Sequence, residues 1–346
     1  MSDSIKIQTE IQIDPIHAGS RLDVVLAKLL APQFSRSQIQ QWIAEGDLRV
    51  DGKLVKAKFK LVGDECVQLD ATQAVLTDSA EPIPLSIVAE NDDWMIINKP
   101  VGLVVHPAPG HRKGTLLNAV LAHHAPCAQL PRAGIVHRLD KDTSGVMVVA
   151  KTLAAYHYFV AALRERTIRR QYIALVHGEL LTSGSVSLPI GRHPKNRLKM
   201  HAFADLPRST SPTPMGDDEG SGVLLPKGIK PAISHYRVLK RFQGLTLVSV
   251  SLETGRTHQI RVHLSYLGYP IVGDQLYGGR RRIPIGYPAT LAKVLQQFPR
   301  QALHAYELAF SADFSGPLTA WRVPLADDIA DIVQQLESQP CNASTT

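Results

Sequence analysis

The chain has 346 residues, 44% of them hydrophobic, which is longer than a usual single core and too apolar for a wholly disordered protein. Lys and Arg outnumber Asp and Glu by 38 to 31, and a net charge of +7 points to a polyanionic partner only if the surplus is concentrated somewhere. Cys66, Cys127 and Cys341 are odd in number, far apart and in no CxxC pattern, which excludes a disulfide framework and a zinc cluster. No stretch has the apolar run of a signal peptide or a membrane span, so a cytoplasmic protein that does not engage a membrane is expected.

From Arg21, "RLDVVLAKLL" places Leu22, Val25, Leu26, Leu29 and Leu30 on one face of a helix. "SRSQIQQWIAEG" supplies a second helix, with Ser35 as cap, Ile39, Trp42 and Ile43 as its apolar stripe, and Gly46 as its stop. "DLRVDGKLV" then brackets an Asp51-Gly52 hairpin turn, and "GDECVQLD" reads as a further strand. Between residues 16 and 63 there are eight Lys/Arg against four acids, so more than half of the chain's surplus charge lies here. The order of these parts resembles the S4 RNA-binding module. That resemblance implies that Arg36, Lys53, Lys56, Lys58 and Lys60 contact phosphates of a structured RNA, which gives affinity without sequence information. The module is expected over residues 16–76. The stretch 71–84 loses helical periodicity and ends in prolines, which places a linker at 77–84.

The rest reads as one large domain over 85–336, with a fraying tail at 337–346. Two short apolar runs, Leu85 to Val88 and Trp94 to Ile97, flank Asn91-Asp92-Asp93 and predict a hairpin. "GTLLNAVLAHH" predicts a helix, and Val146 to Ala150 a buried strand entered by the charged loop "HRLDKDTSG". "LAAYHYFVAALRER" predicts a helix with Tyr156, Phe159, Val160 and Leu163 turned inward, followed by covered strands at "RRQYIALVHGEL" and "LTLVSVSLE". "TGRTHQIRVHLSYLGYP" predicts a helix capped by Thr257 and ended by Gly268. Strands and helices do not alternate regularly, so the class is α+β, a mixed and largely antiparallel sheet with flanking helices. Residues 203–231, rich in Pro, Gly, Ser and Asp, are expected to form a flexible insertion.

Among motifs that carry chemistry, the chain has no phosphate-binding GxxxxGK[ST] loop, dinucleotide fingerprint or GxSxG elbow. His258 and His263 lie five residues apart, about 140° apart around a helix, which does not suit a shared metal. What remains is Asp140. On shape alone, "DKDTSG" is a solvated turn, but a carboxylate beside arginines at a strand mouth is held charged and oriented, as a nucleophile must be.

Taken together, "GIVHRLDKDTSGVMVVAKT", "NKPVGLVVHP", "YIALVHG" and "ETGRTHQIRVHLSYLGYPIVGDQLYGG" resemble the pseudouridine synthases of the RluA/RluD type over nearly the whole chain. The front module, "PRAGIVHRLDKDTSG" and "RQALHAYELAF" favour the branch that acts on large-subunit (23S) ribosomal RNA. The resemblance implies Asp140 as nucleophile, Tyr172 stacking on a flipped uracil and serving in proton transfer, and Arg261 pairing with Asp140, with Arg256 as the other candidate for that pairing. It further implies that Ile260 packs against the base, that Arg138 displaces the base in the stack, that Arg256 meets phosphate, and that His137 and His106 form pocket walls. No cofactor or metal is implied, and the expected partner is 23S rRNA or the pre-50S particle, met by a monomer at the intersubunit-bridge hairpin. A glycosidase, which requires two cooperating carboxylates, and a non-catalytic ribosome-assembly factor are the rival readings.

Overall fold

In the computed structural model, residues 4–30, 34, 36–74, 79–107, 112–204, 206, 225–279 and 286–339 are described. The chain divides into two compact units, Met1–Thr77 and Asp78–Thr346.

The first unit contains β1 (Ser4–Gln12), α1 (Leu22–Leu29), α2 (Arg36–Glu45), β2 (Leu48–Val50), β3 (Lys53–Leu54) and β4 (Cys66–Ala74). Its sheet runs β1-β4-β2-β3, with β1 antiparallel to β4 along its full length. β1 thus adds a strand ahead of residue 16, and β4 extends to Ala74, short of the linker expected at 77–84. Leu22, Val25, Leu26, Ile39, Trp42 and Ile43 are buried against Leu48, Val50, Val67 and Leu69, while Leu29, at the end of its predicted stripe, is exposed. Asp51 and Gly52 take positive φ values of 49° and 72°, the mirror-image turn that matches the twist of a two-residue hairpin. The proposed cap Ser35 lies outside the described residues.

The second unit holds β5 (Ile87–Glu90), β6 (Trp94–Lys99), α3 (Leu116–His123), β7 (Ser144–Ala150), α4 (Leu153–Arg164), β8 (Arg169–His177), β9 (Gly184–Ser187), β10 (Ile190–Arg192) and β11 (Met200–Ala202). It continues with β12 (Ile233–Phe242), β13 (Leu245–Leu252), α5 (Gln259–Tyr266), α6 (Ala289–Gln297), β14 (Leu303–Ser311), β15 (Leu318–Arg322) and α7 (Asp327–Glu337). The main sheet runs β5-β6-β7-β14-β8-β13-β12-β9, with β15 on β14. Every pairing in it is antiparallel except β7 with β14, so the sheet is mixed and antiparallel-rich.

Each residue of β7 is buried, as a short β-branched run in mid-sheet requires. Gly145, at φ 116°, lets β14 pass close by: a Cβ there would lie 2.2 Å from the Ala305 carbonyl oxygen. Thr115 and Asn118 cap α3 reciprocally. In α4, Phe159 and Ala162 are buried but Val160 is exposed, contrary to the predicted face. α5 is likewise entered differently from the prediction. Its N-cap is His258 in the left-handed region, with no side-chain cap, and Thr257 does not fill that role.

The segment 203–231 is built at both ends. The Phe203 N–H donates to Pro189 O at 2.9 Å, and Lys230 bridges to Ile190. Its middle, 207–224, and tail residues 340–346 lie outside the described residues.

Candidate active site

The loop that leads into β7, together with β8, the turn after β13 and α5, delivers side chains to one cavity of about 1970 Å³. His106, His137, Arg138, Asp140, Arg170, Tyr172, Arg256, His258, Ile260 and Arg261 all line it, so every site residue expected in the large domain lies on one wall system.

Asp140 opens the turn that leads into β7, where the Thr143 N–H donates to its carbonyl oxygen. The residues that follow are fixed from afar. Lys141 O accepts from Lys99 Nζ at 3.0 Å, Asp142 O from Arg300 Nη1 at 3.1 Å, and Thr143 Oγ1 from Gln301 Nε2 at 3.1 Å. Lys99 is fully buried and also donates to Pro100 O and Leu103 O. Burial pushes its ammonium down to about 8, although Asp142 and Asp140 oppose the shift. Arg300 is anchored in turn by both oxygens of Asp328. The crowding of charge at this strand mouth is thus a lattice of backbone tethers that fixes the turn from which the Asp140 carboxylate faces the cavity.

That side chain is Asp140, 17% exposed, with Oδ2 accepting from Arg261 Nη1 at 2.9 Å. Arg261 uses its other edge on Asp274, with Nε to Oδ2 at 2.7 Å and Nη2 to Oδ1 at 2.9 Å. One guanidinium therefore bridges two carboxylates. Against its own burial, Asp274 and Asp140 hold it above the usual arginine range, and Tyr277 lies under it at 5.1 Å from the ring centre. Asp274 is closed to the cavity: its side chain is fully buried, and Oδ1 also accepts from the backbone N–H groups of Leu276 and Tyr277. It cannot act as the second carboxylate of a glycosidase. Arg256 points elsewhere, with Nε donating to Pro231 O at 3.0 Å, which resolves the choice between the two arginines in favour of Arg261.

Tyr172 stands on β8 with its ring buried. Burial pushes its phenol up, reinforced by Asp140 and opposed by Arg170, so at neutral pH it presents a protonated hydroxyl and a flat apolar face. Ile260 is buried in the cavity wall, and Arg138 is exposed at its rim. His137 Nε2 accepts from the Val148 N–H at 3.1 Å, which fixes a neutral ring, and burial followed by Arg170 pushes it down to about 3. His106 is pushed down to about 4 by burial, Arg132 and Arg138. Both behave as neutral walls.

The motif reading missed His258, Asp274, Lys99 and Arg170. The Nε2 of His258 lies 4.0 Å from Asp140 Oδ1, and its Nδ1 is 2.8 Å from the Tyr277 hydroxyl. A non-glycine residue with positive φ (57°) beside a cavity is the kind of strain that clusters at active sites, but no sequence signal marks it in advance. Phe203, Leu206, Leu225 and Pro231 also line the cavity, so both ends of the 203–231 segment contribute to it.

In the first unit, Lys53, Lys56, Lys58 and Lys60 are exposed, alternating with the inward Val55, Ala57 and Phe59. Arg36 differs. With Arg21 and Gln40 it holds the buried Asp23, whose carboxyl, against the effect of burial, is brought down to about 2. Half of the Arg36 side chain stays exposed, and because it shares the one Asp23 carboxylate with Arg21 the cluster keeps a positive surplus.

Comparison with known proteins gives two family matches, RNA pseudouridylate synthase over residues 93–266 and S4 domain over residues 20–65. The chain is 45% identical to a protein of Pseudomonas aeruginosa named ribosomal large subunit pseudouridine synthase D, over 95% of each chain. It is 44% identical to the protein of that name from Nitrosomonas europaea, over 96% of this chain and 88% of the other. Among solved structures it is similar to human RNA pseudouridylate synthase domain containing 4, with a TM-score of 0.53 and 25% identity over 73% of this chain and 93% of that one. The chain thus belongs to the RNA pseudouridylate synthase family, as an enzyme with an S4 domain ahead of its catalytic fold.

Proposed function

We propose that this enzyme isomerises uridine to pseudouridine at specific sites in large-subunit ribosomal RNA, as a cytoplasmic monomer acting on the intersubunit-bridge hairpin of 23S rRNA or the pre-50S particle. The observation that carries the reading is the Asp140 carboxylate, ion-paired to Arg261 at 2.9 Å on the wall of a cavity large enough for a nucleotide. The names of the two bacterial relatives support the choice of RNA.

A stacked uracil hides its glycosidic bond, so the target nucleotide is extruded into the cavity. Arg138, at the rim, occupies the place the base leaves. Tyr172 stacks on the uracil and Ile260 packs its other side. Asp140 attacks either the sugar C1′ or the base C6. The N1–C1′ bond breaks, the ring turns within the cavity, C5 bonds to C1′, and the bond between Asp140 and C1′ or C6 breaks with its electron pair returning to the carboxylate. The C5 proton departs and N1 gains one, so the product is an isomer and the overall change requires no oxidant or energy source. Arg261 orients the attacking carboxylate, while His106 and His137, held neutral, bring no competing charge. The exposed Lys53, Lys56, Lys58 and Lys60, together with the free half of Arg36, grip the phosphate backbone of the RNA. The RNA-holding module is proposed over 16–76, with β1 as an added edge strand ahead of it, and the catalytic domain over 85–336.

The test is Asp140→Asn, assayed by carbodiimide mapping of pseudouridine on 23S rRNA from a deletion strain. The variant should bind RNA and convert none of it. Isomerisation at the parent's rate refutes the assignment, and release of free uracil would restore the glycosidase reading.

A further inference from the structure

Arg170 stands two residues before Tyr172 on β8, so the two side chains leave the same face of the strand about 6–7 Å apart. Both line the cavity. Arg170 is only 6% exposed, yet among the described residues it forms no salt bridge. Its Nη2 donates to the Glu253 backbone oxygen at 3.3 Å, and its buried Nε has no hydrogen-bond partner. The carboxylate of Glu253 is taken by Arg166 and His235. Gly255 keeps the space open: a Cβ there would lie 2.7 Å from Arg170 Nη1. Burial, together with the like charge of Arg256, weighs against the guanidinium and lowers its pKa. A buried cation without an anion is costly in an apo-enzyme unless the ligand brings the missing charge. In RNA that charge is the phosphodiester, whose paired oxygens match the fork of a guanidinium.

We infer that Arg170 is the phosphate anchor of the cavity, binding a phosphodiester adjacent to the target uridine while Tyr172 meets the base. This rests on the RNA-modifying reading of the site. Arg256, tied to Pro231 O and flanking the same wall, adds positive potential.

The experiment pairs the protein change with a change of the RNA. Short stem-loop substrates carry a neutral methylphosphonate at the linkage 5′ or 3′ to the target uridine. Affinity by fluorescence anisotropy and single-turnover isomerisation are measured for the full-length parent, Arg170→Met and Arg170→Lys, with thermal melts as a check on folding. Arg170→Met should lose about 10- to 100-fold in kcat/KM on native RNA, the range expected for a charge-assisted hydrogen bond. At one of the two linkages the methylphosphonate should cost the parent a similar factor and cost Arg170→Met nothing further. Arg170→Lys should keep part of the discrimination. If the losses multiply at both linkages, or if Arg170→Met matches the parent, no phosphate is held there and the inference is overturned. The anisotropy arm reads the coupling without isomerisation, so a parent that binds with this coupling yet makes no pseudouridine would sink the catalytic reading alone.

Discussion

Removing the charge of Asp274 tests whether Asp140 is positioned through Arg261. Asp274→Asn is nearly isosteric and leaves the cavity lining in place, because Asp274 faces away from it. What changes is the electrostatics. Two charge-assisted bonds, at 2.7 and 2.9 Å, lose their anion, and one of the two donors now meets an amide NH2 group. Such bonds contribute about 1.5–3 kcal/mol each, and breaking a buried ion pair costs roughly 3–5 kcal/mol. The Asn oxygen retains some hydrogen bonding, so we expect a loss of about 2–4 kcal/mol. Urea unfolding should show this as a lower midpoint at unchanged m-value. With one edge of its guanidinium released, Arg261 no longer fixes the Asp140 carboxylate, and misplacement of a reacting group by about 1 Å costs on the order of 10²-fold. Single-turnover kcat should fall by about that factor, with RNA affinity within about twofold of the parent. An Asp274→Asn enzyme that keeps both the parent's midpoint and its kcat would refute the bridging role of Arg261.

Three further outcomes follow from the same geometry. Changing Lys53, Lys56, Lys58 and Lys60 together to Gln should weaken RNA binding and reduce the slope of log affinity against log salt by up to about 3–4, while kcat at saturating RNA is kept; an unchanged slope would place the RNA elsewhere. Tyr172→Phe should retain affinity and lose kcat if the hydroxyl moves a proton, whereas equal rates would reduce the residue to a stacking surface. The third concerns pH and His304, which is buried beside Ser144 with its pKa pushed down to about 4, burial being the main cause. The unfolded ring titrates near ~6.5, so between about 6.5 and about 4 the unfolded chain binds more protons and stability falls as pH falls. The expected slope from this group is about 1.4 kcal/mol per pH unit, and His304→Gln should flatten the profile measured by urea unfolding.

Much of this could be read from local pattern. Leu22, Val25 and Leu26 with Ile39, Trp42 and Ile43 gave two helices, and Asp51-Gly52 a hairpin, because burial periodicity and turn chemistry are local properties. Asp140 was legible through its motif. Long-range partners were harder. Asp274 in "GDQLYGG" reads as a turn residue, and its Oδ1 does accept two turn N–H groups, but nothing local reveals that it also holds Arg261. Lys99 looks like a surface lysine until three carbonyl oxygens converge on it. Val160 was assigned inward because a helix wheel cannot say how wide the covered face is. Thr257 looked like a cap by residue type, whereas the chain turns one position later, at His258.

The position of β14 bears on how the enzyme comes into being during its own synthesis. Its first residues sit between β7 and β8, the strand at whose mouth Asp140 lies and the strand that carries Tyr172, and Leu303 itself lines the cavity. Until residue 303 and its neighbours have left the translating ribosome, the two halves of the sheet present bare edges to each other and the wall of the cavity between Asp140 and Tyr172 stays open along that seam. A chain made only that far therefore lacks the closed cavity and leaves two strand edges open to wrong pairing, and the closing element is among the last to be made.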